Sequence, residues 1–140
     1  MITLLKLLHV LAFTAGVGGG LANLLVMRAA NAADADAAKI LRGIMPRIAT
    51  MSFHSVILLW ITGPLLLWLV YDGGAGLGPL FHLKMLSVVL LTVASVTGRI
   101  TISRLKAGKP ARFAPHMPKI GMLGSFFGVT TIGLAVLAFS

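Results

Sequence analysis

Ile2–Met27, ITLLKLLHVLAFTAGVGGGLANLLVM, contains one charged side chain, Lys6, and exceeds the roughly 20 apolar residues that a helix needs to cross bilayer hydrocarbon. It is too long for the core of a secretory signal and lacks a small-residue cleavage pattern in the right place, so it reads as a first membrane span. Three similar runs follow, at about 48–70, 80–102 and 118–139. The expected fold is therefore all-α, an integral membrane four-helix bundle occupying residues 1–140 as a single domain.

Composition agrees. Of 140 residues, 58% are hydrophobic and 11% charged, against about 25% charged in ordinary soluble domains. The make-up excludes a soluble globule. The net charge of +9 comes from basic residues at the edges of apolar runs, which is a topology signal and not the aromatic-interleaved surface of a nucleic-acid binder. The absence of cysteine excludes disulfides, thiolate metal sites, iron–sulfur clusters and covalently attached haem.

The connections order the bundle. Ala29–Ala38 is an alanine-rich turn, and a helix should begin near Asp34 or Asp36 as an acidic N-cap. Pro46 then bends or restarts that helix, and Gly63-Pro64 is a candidate kink. The loop DGGAGLG, Asp72–Gly78, ends at Pro79, a favourable first-turn residue, and has neither the preceding strand nor the following Lys-Ser/Thr of a phosphate loop. Arg28, Lys39, Arg42 and Arg47 fall around the first connection, and Arg99, Arg104, Lys106, Lys109, Arg112 and Lys119 around the third, whereas the second has no basic residue. The positive-inside rule then puts the first and third connections in the cytoplasm and both termini on the outer side, with Trp68 and Tyr71 in an outer aromatic belt. Small residues at Ala12, Gly16 and Gly20, and at Gly121, Ser125, Gly124 and Gly128, suit close helix packing within the bundle, or a homodimer through glycine-rich faces.

Ionisable groups inside spans are the functional candidates. His9 is about six residues, or ~9 Å, into the first helix, and Lys84 is about four residues, or ~6 Å, into the third, entering from the same side. The helical period from His9 runs through Ala12, Gly16, Gly20, Asn23 and Met27, a groove of small side chains where a flat cofactor could lie. The competing reading is a His9 bonded across helices to a Ser, Thr or carbonyl. From Lys84 the period runs through Ser87, Leu91, Ser95 and Arg99, so Lys84 faces inward unless its stem snorkels to the interface. His82 faces sideways and could meet an inner cofactor only if the helix start is distorted. His54, in a stripe with Thr50, Ile57, Ile61 and Trp68, reads as a core hydrogen-bonding residue, with metal ligation as the competitor. Met27, Met45, Met51, Met117 and Met122 collect toward the basic side, and with His54 or His116 they could offer soft ligands for copper(I), although gap-filling is the simpler role.

LLKLLHVLAFTAGVGG at Leu4–Gly19, PLFHLKMLSVVLL at Pro79–Leu91 and GRITISRLKAG at Gly98–Gly108 together resemble the HemJ-type protoporphyrinogen oxidase family and the related copper-resistance D-like membrane proteins. The likeness spans nearly the whole chain, and its specific part is a KxxH opening the first span, an HxK opening the third and a GR near its end. The resemblance implies a bacterial inner-membrane protein holding haem b. It also implies oxidation of protoporphyrinogen IX, or electron relay, with a quinone-linked acceptor. Carried over by motif, His9 is the haem-associated histidine and metal ligand, with Gly16, Gly20 and His82 around the cofactor; Lys84 and Arg99 are the catalytic basic residues. A copper-binding protein, with His9 or His54 as ligand, and a non-catalytic membrane subunit are the alternative readings.

Overall fold

The computed structural model describes residues 1–112 and 114–139. Four long helices account for nearly all of it: α1 Ile2–Ala32, α2 Ala35–Tyr71, α3 Pro79–Lys106 and α4 Met117–Phe139, with single 3₁₀ turns at Asp72–Gly74 and Ala114–His116. All four are long and apolar enough to cross a bilayer, which suggests a multi-pass membrane protein. Helices α1 and α2 pack most extensively on one another, as do α3 and α4; α1 also meets α4, and α2 meets α3. Among the described residues the diagonal pairs do not touch along their backbones, so the helices run in chain order around a four-sided bundle. The two termini and the 72–78 loop lie at one end, and the two basic connections at the other.

The first connection is shorter than the alanine-rich sequence suggests. Alanine is the strongest helix former, so α1 continues to Ala32 and only Ala33 and Asp34 break the path. Asp34 is the N-cap of α2, its Oδ1 accepting from the Ala37 N–H at 2.9 Å. Ala30 and Ala38 are buried on either side of the turn, where their methyl groups let the helices converge. Neither proline restarts α2, which is continuous through Pro46 and Pro64. Each costs one backbone hydrogen bond but already has the helical φ, and the packed neighbours hold the helix on both sides. At the other end, Asp72 (φ 46°) is the left-handed cap of α2, and Gly73, Gly74 and Gly76 carry the positive φ values of the loop before Gly78-Pro79 opens α3.

The interior is small and the exterior large. Ala12, Val17, Ser55, Val56, Thr62, Ser87, Thr101, Ser125 and Thr131 are buried, whereas Leu25, Trp68, Phe126 and Val136 are mostly exposed. A water-soluble protein would invert this pattern. In lipid, where apolar burial gives helices no reason to associate, close backbone approach does. Gly16 faces Ser55, Gly19 is overlain by Ser52, Met51 and Ile48, and Gly128 sits against Val17. The glycine rows of α1 and α4 are thus used inside the bundle.

Most buried or half-buried hydroxyls are satisfied locally. Ser55, Ser87, Ser95, Thr101 and Thr131 each donate to the carbonyl four residues earlier, at 2.7–3.2 Å, which removes the cost of an unmet polar group in an apolar medium.

Candidate functional site

His9 faces the bundle, not the exterior. Its Nδ1 lies 2.7 Å from Oγ1 of Thr62, the largest fully buried side chain of the described residues. Thr62 donates its single proton to the Leu58 carbonyl at 2.8 Å, so its oxygen accepts from His9, and the imidazole carries its proton on Nδ1. The Nε2 lone pair is then available to a ligand or a proton. The cross-helix bond weighed against ligation therefore takes one ring nitrogen and leaves the other. The glycine beside the ring is Gly63 of α2, whose ideal Cβ would stand 3.5 Å from His9 Cε1. The groove beneath His9 is narrowed at two points, a Cβ at Gly16 standing 3.4 Å from Ser55 of α2 and one at Gly20 3.4 Å from Ser125 of α4, and both glycines border the cavity of the basic half.

Lys84 is half-buried on α3. The inward orientation inferred from its helical stripe holds: Ser87 is buried, and Leu91, Ser95 and Arg99 continue along the interior. Arg99, however, is displaced from Lys84 by roughly 22 Å along the axis at 1.5 Å per residue. It belongs to the basic half, where Nη1 donates to Thr50 Oγ1 at 2.7 Å and the guanidinium lies over the Phe53 ring, 5.8 Å from its centroid.

Two histidines stay outside this interior. α3 begins regularly at Pro79, and His82 remains exposed, with Nδ1 3.3 Å from the Gly78 carbonyl. His54 is exposed beside Phe53, so the core hydrogen bond expected for it does not form; a rotation of α2 that buries Ser55 and Val56 necessarily turns position 54 outward. Among the described residues, no three His, Asp or Glu side chains come together as a metal cluster.

The basic half encloses a cavity of about 290 Å³ lined by all four helices. Gly16, Gly20, Asn23 and Met27 of the α1 stripe contribute to its wall, with Arg99 from α3 and Ser125 from α4; His9 does not. The residues that sequence reasoning missed are Thr62 and the Thr50–Arg99 contact. A lone threonine before Gly63 within an apolar run was the available signal for the first. Nothing in the chain of residues alone pairs it with His9. No protein-family model, curated protein or solved structure matches the chain.

Proposed function

We infer that the protein is a HemJ-like membrane haem protein, oxidising protoporphyrinogen IX or relaying electrons, in which His9 would hold the haem iron and Lys84 would be the basic group at the same level. The observation that carries this reading is the His9–Thr62–Leu58 chain of hydrogen bonds. Iron-ligating histidines need one nitrogen bare and the other held by an acceptor that fixes tautomer and ring direction. His9 meets both needs. Reversible one-electron chemistry would come from the iron of a haem bound there. Lys84 supplies a cation at the same level, suited to a propionate or to the carboxylates of a porphyrin substrate. Arg99 is too far along α3 to act on the same group, and Thr62 takes the positioning role.

The charge pattern favours the two basic connections in the cytoplasm and the termini outside, as expected of a bacterial inner-membrane protein. The copper reading is less favoured. Met27, Met45 and Met117 do line one cavity, but Arg42 and Arg99 line it too and would oppose a cation.

Absorbance of detergent-purified protein, expressed with ample iron and porphyrin precursor, tests the assignment. A Soret band with reducible α and β bands, lost in His9→Ala, is the expected result. A colourless wild type, or an unaltered spectrum in His9→Ala, overturns it.

A further inference from the structure

The cavity in the basic half has a chemistry of its own. Most span hydroxyls close on their own helix, yet among the described residues three buried side-chain atoms have no hydrogen-bond partner: Asn23 Oδ1, Ser52 Oγ and Ser125 Oγ. All three residues line this cavity. Ser52 is wedged against Gly19 and serves helix packing. Asn23 differs: its amide nitrogen is engaged, donating to the Met45 carbonyl at 3.1 Å, so its oxygen is an acceptor waiting for a donor. Ser125 is 7% exposed, and its hydroxyl can donate or accept.

Charge supplies the other half of the recognition. Arg99 reaches the wall with only part of its five-donor fork used by Thr50. Arg42, exposed at the same cavity, stands among the basic connections. None of the three Asp residues of the chain lines it. A low-dielectric chamber with cations of one sign draws anions inward. The remaining wall, including Leu91, Ile102 and Ile120, is apolar apart from Ser95, whose hydroxyl donates to the Leu91 carbonyl.

We propose that this cavity binds a phosphate ester bearing hydroxyl groups, the phosphate on Arg99 and a hydroxyl donating to Asn23 Oδ1, with Ser125 completing the set. Glycerol phosphate has this chemistry, either free in water or as the headgroup of phosphatidylglycerol. The site is separate from His9, so a colourless preparation leaves the proposal standing.

The experiment uses the full chain in detergent. Titration calorimetry with glycerol 1-phosphate and native mass spectrometry with short-chain phosphatidylglycerol, against phosphatidylcholine, distinguish the two sources. One-to-one binding of either glycerol phosphate form is expected, with phosphatidylcholine at least about tenfold weaker and Arg99→Gln losing about tenfold or more, as for a hydrogen bond to a charged group. Gly98→Leu is the second variant: Gly98 lines the cavity and a Cβ there meets nothing within 4 Å, so the longer side chain is intended to take up the space. Binding of neither form by the wild type overturns the proposal. So does equal binding of phosphatidylcholine, or undiminished binding in both Arg99→Gln and Gly98→Leu.

Discussion

Thr62 illustrates how much one hydroxyl can organise inside a bilayer. Its proton is committed to Leu58, which forces the oxygen to accept and His9 to donate. Thr62→Val keeps the shape but leaves the His9 N–H without a partner, at a cost of about 1–3 kcal/mol. Loss of such a positioning bond weakens metal binding by roughly 10–100-fold. Haem titration should show that loss for Thr62→Val and recovery for Thr62→Ser; equal affinity in the valine variant would remove Thr62 from the site. Lys84→Ala should abolish porphyrinogen oxidation while retaining the helical circular dichroism signal. Unchanged turnover would withdraw the catalytic role of Lys84.

Between elements, contact is set by the smallest side chains. A methyl added at Gly19 would overlap Ser52 Oγ and press on Met51, whereas Gly18 has open space. Gly19→Ala should therefore lower stability by about 1–3 kcal/mol, measured by detergent unfolding, and Gly18→Ala should not. Replacing Ser52 with glycine in the Gly19→Ala background should restore part of the loss, because the overlapping atom is gone. The start of α2 is a simpler case. Asp34→Ala removes the bond to the Ala37 N–H and should cost about 1 kcal/mol, with Asp34→Asn close to wild type.

For the whole molecule, charge and shape divide the bundle into two working halves. His9 and Thr62 meet toward the end carrying the termini, while the cavity with Arg99 lies in the half with the basic connections. The chain has no cysteine, so single cysteines at exposed Lys39, Gly76 and Lys109 can report topology by impermeant thiol labelling of intact cells. Labelling at position 76 alone is the expected outcome under the positive-inside rule; labelling at 39 and 109 but not 76 would invert the bundle.

Residue order alone determined the four spans, an acidic cap at Asp34 or Asp36 and the inward stripe from Lys84 to Arg99, because helical period and bilayer thickness are local rules that each span obeys by itself. It also separated His9 from the connections and made it a candidate. The tertiary structure decided which side chains those stripes meet. Thr62 reaches His9, Ser52 settles on Gly19, and His54 turns outward only after α1 and α2 adopt a particular rotation and axial offset. Those two quantities depend on how small residues from different helices interlock, and no periodicity within a single helix encodes them. The cavity shares this origin: its wall draws on all four helices, and Arg99, placed on the inner face by its own helix, acquires Thr50, Phe53 and the chamber only when the bundle closes.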